Sequence, residues 1–239
     1  MTRCDVLAVG AHPDDVELGC GGSLARLAGS GLNVGIVDLS AGELGTRGDA
    51  ELRSQEAATA ARHLGAAWRV CVGLADGGID GADERQRGEL VAVLRQAAPR
   101  VVLAPDPGDP HPDHAAGAAL VRWAAFFAGV ARYHPELGAP GRPRLILGYP
   151  GPRQLLVPTL VVDVSGTYAA KRAALAAHAS QFEPAAGAPT HLASGFFLAA
   201  VEGRDRACGN LIGSEFGEGF AAQGALPGDE IAWLLGERR

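Results

Sequence analysis

Lysine is almost missing from this chain: of 21 basic residues, only Lys171 is a lysine. That skew follows genome composition rather than function. There is no basic run, and the formal net charge is −6, so nothing favours a nucleic-acid partner. Cysteine is sparse. Cys4, Cys20, Cys71 and Cys208 are scattered, with no CxxC pair, which fits thiols in a reducing compartment rather than a disulfide framework. No apolar run reaches membrane length, and no signal peptide precedes the first strand-like run. The expectation is a cytoplasmic protein with no membrane partner. The nucleotide signatures are missing too. Gly19-Cys20-Gly21-Gly22 is glycine-rich, but no GxGxxG opens the first helix and no GK[ST] follows; those glycines suit close helix–sheet packing. The GxSxG elbow of the α/β-hydrolases is also absent.

What is present is a regular alternation. At 239 residues and 47% apolar composition the chain can bury a sizeable core. Apolar runs at 6–9, 32–39, 68–74 and 101–104 read as buried strands. Helical stretches follow at 18–27, 50–64, 83–98 and 115–130, the third stopped by Pro99. This pattern predicts an α/β fold: a doubly wound, mostly parallel, Rossmann-like sheet with helices on both faces, in a single domain spanning 1–239. Segment 135–158 is proline-rich, with one apolar run at 145–147, and reads as a long functional or mobile loop. Beyond it the pattern predicts a strand at 160–164, a helix over 168–181, a turn-rich connection at 183–190, a helix over 196–209 and a short terminal helix at 231–235.

Two clusters carry the chemistry. His12-Pro13-Asp14-Asp15 follows the first strand, and His111-Pro112-Asp113-His114 follows the fourth. In strand order 3-2-1-4 the chain reverses between strands one and four, and a crevice opens at their carboxyl ends. Residues about 100 apart in sequence then face one another. A catalytic zinc needs three protein ligands and one open position. His12, Asp15 and either His111 or His114 supply two imidazoles and a carboxylate. Asp14 is then free as a general base, and the spare histidine, held by Asp113, can protonate a leaving group or stabilise an oxyanion. These parts make a metal-dependent hydrolase of amides or esters. The plainer alternative is that Asp14, Asp15 and Asp113 merely cap the helices they precede. His63, His134, His178 and His191 have no such setting and read as structural.

At AHPDDVE (11–17) and HPDH (111–114) the sequence resembles the PIG-L/LmbE family of zinc-dependent de-N-acetylases. GELGTRGDAELRSQEA at 42–57, SQF at 180–182 and EGRDRACGNLIGSEFGEGF at 202–220 resemble the branch that deacetylates N-acetylglucosaminyl-malate in bacillithiol biosynthesis. The resemblance implies Zn2+ on His12, Asp15 and His114, a position that Fe2+ also suits. It implies Asp14 as general base, and His111, protonated and oriented by Asp113, at the oxyanion or leaving amine. It implies Arg53 on the malate carboxylates, with Ser40, Glu43 and Arg47 lining the sugar site. A small amino-sugar substrate and a homo-oligomer, hexameric or trimeric, follow from the same resemblance. Other amino sugars, such as chitooligosaccharides, and bacillithiol S-conjugates are the alternative substrates. The chain departs from the branch at Pro110, where an arginine is usual, and at Asp106, where a tyrosine is usual.

Overall fold

The computed structural model describes residues 1–222, 224–226 and 228–234. Seven strands form one sheet: β1 (Val6–Gly10), β2 (Val34–Ser40), β3 (Trp68–Leu74), β4 (Val101–Pro105), β5 (Leu145–Tyr149), β6 (Leu160–Asp163) and β7 (Gly217–Ala222). Eight α-helices accompany them among the described residues: α1 (Asp15–Gly29), α2 (Ala50–His63), α3 (Glu84–Ala97), α4 (Pro112–Ala128), α5 (Tyr168–Ala177), α6 (Ala179–Phe182), α7 (Phe197–Asn210) and α8 (Gly228–Leu234). The strand order is β3-β2-β1-β4-β5-β7-β6. The first five strands run parallel, and β7 is antiparallel to both neighbours. The expected fold class and the reversal between β1 and β4 are both observed.

Alternation along each strand explains why helices cover both faces. Leu7, Val9, Val37, Leu39, Val102 and Ala104 pack with Leu90, Leu94, Leu120 and Ala124 of α3 and α4. Val6, Ala8, Val34, Ile36, Val101 and Leu103 point the other way, onto Leu24 of α1, Ala60 of α2 and Ala174 of α5. The β1, β2 and β4 backbones are buried along their whole length, so they read as continuous apolar runs.

Two expectations need correcting. Residues 145–149 form the central strand β5 rather than an island in a loop; the apolar run was real, but the prolines around it masked it. Strand β7 was not foreseen at all. Its sequence, GEGFAA, has little β propensity, and it is a strand because β5 and β6 flank it. Leu235 of the expected terminal helix lies outside the described residues; the helix itself spans Gly228–Leu234.

Helix α1 is broken at Cys20, whose φ of −147° is not helical. The break frees backbone groups, and charged side chains take them up. The Leu18 carbonyl accepts from Lys171 Nζ at 3.1 Å and from Arg204 Nη2 at 2.5 Å. The Gly22 and Ser23 amides donate to the Glu218 carboxylate at 2.9 and 2.7 Å. Lys171 is fully buried and bridges Glu218 and Asp205, each at 2.7 Å. Glycine at 19 lets the Tyr149 ring lie directly on the helix: a Cβ there would sit 2.1 Å from Tyr149 Cδ2. Tyr149 is itself pinned by its hydroxyl, which donates to the Val9 carbonyl at 2.7 Å. Gly19→Ala should therefore cost about 1–3 kcal/mol from overpacking. A urea-unfolding midpoint equal to wild type would show that the ring can move aside.

Candidate metal-dependent active site

The loops after β1, β3 and β4 meet at the carboxyl end of the sheet. They line a cavity of about 590 Å³ together with Arg47 and Arg53. The chain leaves β1 through Gly10, where a Cβ would meet the His12 carbonyl at 3.0 Å, and turns sharply into α1. Asp14 sits in that turn with φ 120°, a strained conformation for a non-glycine residue. It is the residue before the helix, yet its side chain makes no capping bond, so the plain capping role does not apply to it. Its carboxylate is buried and faces Arg53 Nη2 at 3.6 Å. Burial lifts its pKa to about 6, opposed by Arg53 and reinforced by Asp15.

Asp15 lies between two imidazoles. Its Oδ1 is 3.1 Å from His114 Nε2 and its Oδ2 is 3.4 Å from His12 Nδ1. Oδ2 also accepts the His12 backbone N–H at 2.8 Å, which locks the turn. The outward ring nitrogens have carboxylate partners as well. His114 Nδ1 is 2.8 Å from Asp109 Oδ2. His12 Nε2 is 3.1 Å from Asp76 Oδ1 and 3.2 Å from Asp113 Oδ2. Burial works against charge on His12, but Asp15 outweighs it and raises the pKa to about 9. At His114 burial is again overcome, by Asp15 and Asp109, giving about 11. Carboxylate charge thus exceeds imidazole charge locally, and that excess favours a cation.

The third imidazole, His111, stacks on His114 with centroids 4.4 Å apart and planes at 23°. Nitrogen atoms of His12, His111 and His114 come within 4.8 Å of one another. Two imidazoles and a carboxylate facing a cavity match the donor set of a catalytic zinc with one position open. The residues present therefore fit a divalent metal.

Several placements differ from expectation. The Asp113 carboxylate is not on His111. Its Oδ2 accepts from the Gly77 amide at 2.8 Å and from His12, because α4 starts at Pro112 and turns Asp113 inward. His111 instead occupies the helix cap, where its Nδ1 accepts the Asp113 amide at 3.2 Å. Nor is His111 held as a cation: burial and the charges on His114 and His12 push its pKa down. With Nδ1 accepting, the neutral ring carries its proton on Nε2. Ser40 does not line the cavity. It is fully buried, and its hydroxyl donates to the Ala11 carbonyl at 2.9 Å. Glu43 does not line it either; its Oε1 accepts the Asp76 amide at 2.8 Å. Both residues hold loops together.

Arg53 and Arg47 do line the cavity. Arg53 is already bonded twice, Nη1 to the Gly42 carbonyl and Nη2 to the Pro13 carbonyl, both at 2.7 Å. It ties the loop after β2 to the turn that carries Asp14. Arg47 donates from Nη2 to the Glu183 carbonyl at 2.5 Å. Asp76 and Asp109 were not singled out from the sequence. Each is a lone aspartate in a turn, and its position just past β3 or β4 was the available signal.

The family model described as PIG-L: GlcNAc-PI de-N-acetylase matches residues 7–125. A 1D-myo-inositol 2-acetamido-2-deoxy-alpha-D-glucopyranoside deacetylase from Streptomyces avermitilis is 31% identical over 243 residues, covering 74% of this chain and 83% of that protein. A diacetylchitobiose deacetylase from Thermococcus kodakarensis is 32% identical over 189 residues, covering 74% and 70%. Among solved structures, a conserved protein from Thermus thermophilus superposes with a TM-score of 0.85 at 36% identity, covering 94% of this chain and 97% of that one. The chain belongs to the PIG-L family of deacetylases. It is accordingly a deacetylase, an amide hydrolase, with a His/Asp site able to hold a metal. The fold alone would not establish this. A 4-carboxy-2-hydroxymuconate hydratase from Pseudomonas shares it with a TM-score of 0.78 at 24% identity.

Proposed function

We propose that the chain removes the acetyl group from an N-acetylglucosamine conjugate, using Zn2+ held by His12, Asp15 and His114. The observation that carries this reading is Asp15, one carboxylate spanning the Nδ1 of His12 and the Nε2 of His114, with Asp14 beside it. When bound, zinc would supply Lewis acidity to the acyl oxygen and make a neighbouring water acidic near pKa 7.

The side chains supply the proton handling. Asp14 is ionised at neutral pH with a pKa about 6, close enough to operating pH to exchange protons readily. It takes a proton from the attacking water as the oxygen bonds to the acetyl carbon. It returns that proton to the sugar nitrogen as the C–N bond breaks; the water's second proton leaves the new carboxyl group for the amine, and the products are acetate and the ammonium form of the sugar. His111 acts as a neutral donor, its Nε2–H stabilising charge that develops on the acyl oxygen. Asp113 positions His12 and the Gly77 amide rather than His111. Arg53 fixes the Asp14 turn, and its remaining N–H groups face the conjugate.

Within the family, the finer assignment is the bacillithiol branch, with N-acetylglucosaminyl-malate as substrate. Its support is the stretches 42–57 and 180–182, which supply Gly45, Thr46, Arg47, Arg53 and Gln181 to the cavity wall. The same resemblance carries a homo-oligomer, trimeric or hexameric, while the scattered, unpaired cysteines favour a reducing, cytoplasmic setting. No helix among the described residues is long and apolar enough to cross a membrane. The names of the curated relatives favour a second reading, with an inositol or a second sugar as the aglycone.

Acetate release decides between them. The zinc-loaded protein should release acetate faster from N-acetylglucosaminyl-malate than from the inositol conjugate, diacetylchitobiose or free N-acetylglucosamine, and a chelator should abolish the release. Preference for the inositol conjugate would discard the bacillithiol assignment. Full activity in excess chelator would discard the metal.

A further inference from the structure

The two proposed metal-ligand histidines are held alike. Each turns one ring nitrogen inward to Asp15 and the other outward to a carboxylate that does not belong to its own motif. For His114 the outward partner is Asp109, at 2.8 Å. For His12 it is Asp76, at 3.1 Å, with Asp113 sharing the same nitrogen at 3.2 Å. A neutral imidazole has one N–H and one lone pair, and the hydrogen bond made on one side decides which nitrogen keeps the lone pair.

We propose that Asp109 and Asp76 are positioning residues: each holds the outward N–H of one histidine, so that the proton given up to a bound metal is the inward one, on His114 Nε2 and on His12 Nδ1 beside Asp15. This inference rests on the zinc reading above and goes beyond it, since neither aspartate belongs to the proposed ligand set. Both carboxylates are anchored from behind. Asp109 accepts the His111 amide through Oδ1 at 2.8 Å. Asp76 accepts the Leu44 amide through Oδ2 at 2.9 Å, and its own amide donates to Glu43. The anchoring fixes the outward oxygens, which in turn fix the ring planes. A charged acceptor also makes the imidazole a stronger donor to a metal. The expected roles therefore shift: Asp113 belongs with Asp76 behind His12, and Asp109 takes the corresponding place behind His114.

The test is zinc affinity, measured by competition with a chromogenic chelator, on wild type and Asp109→Asn. Asparagine keeps the size and still accepts the His111 amide, so a merely structural role survives the change. It removes the charge and offers an N–H where His114 needs an acceptor. The expected result is a zinc Kd raised about 10–100-fold, an altered visible spectrum of the cobalt-loaded protein, and a metal-free Tm close to wild type. A Kd and cobalt spectrum equal to wild type would overturn the inference. If metal-free Asp109→Asn fails to fold, Asp76→Asn decides by the same measurement. There a weakened Kd supports the inference, and an unchanged one overturns it. Failure of the underlying reading looks different, because wild type itself would then bind no zinc, or His12→Ala would bind it as tightly as wild type.

Discussion

Asp14→Asn should lower kcat by about 10²–10⁴-fold while the protein keeps its full complement of zinc. The substitution is isosteric and leaves His12, Asp15 and His114 untouched. Asn is among the residues that best tolerate positive φ, so the turn at φ 120° should survive. What disappears is the only carboxylate among the described residues that is beside the proposed ligands, lines the cavity and has a pKa raised to about 6. Arg53, 3.6 Å away, would lose a charge partner but keep both carbonyl contacts. Steady-state acetate release with parallel metal analysis checks this. Near-normal turnover would mean that another group takes the water's proton, whereas loss of zinc together with activity would mean that Asp14 belongs to the ligand set.

Lys171→Met should be the most damaging change away from the cavity. It would leave Glu218 and Asp205 buried as carboxylates without their shared cation. Breaking a buried pair in this way costs about 3–5 kcal/mol, equivalent to a Tm lower by roughly 6–20 °C for a chain of this size. The loss should reach the active site, because Lys171 and Glu218 satisfy the two sides of the break in α1, and the first turn of that helix carries Asp15. Adding Glu218→Gln to Lys171→Met should recover part of the loss by removing one uncompensated charge. A Tm within about 2 °C of wild type for Lys171→Met would show that water or Arg204 replaces the ammonium.

Much of this architecture was readable because its signals are local. The runs VLAVG and VVLAP are buried on both faces, so uninterrupted hydrophobicity was enough to mark them. The two His-Pro-Asp turns stood out by repetition, and topology placed them face to face. The unreadable parts depend on tertiary context. GEGFAA becomes a strand only between two others. The break in α1 was marked by Gly19, Gly21 and Gly22, but a run of glycines signals close packing as readily as interruption. The partner of Asp113 is not legible locally: the resemblance places its carboxylate on His111, while the first turn of α4 directs it to His12. Ser40 and Glu43 were assigned by the loop they occupy, and a loop can line a cavity with some side chains and brace itself with others.

The adjacency of β1 and β4 has a consequence for how the protein is made. Synthesis runs from the N-terminus, so His12 and Asp15 emerge with their strand long before His114 exists. Three helices and two strands, α1 to α3 with β2 and β3, are laid down in between. Bringing β4 beside β1 closes that long loop, and such non-local pairing is slow. Until it happens, a nascent chain holds only part of the proposed ligand set. Completion of the proposed metal site is then a late event in folding, set by the pairing of those two strands.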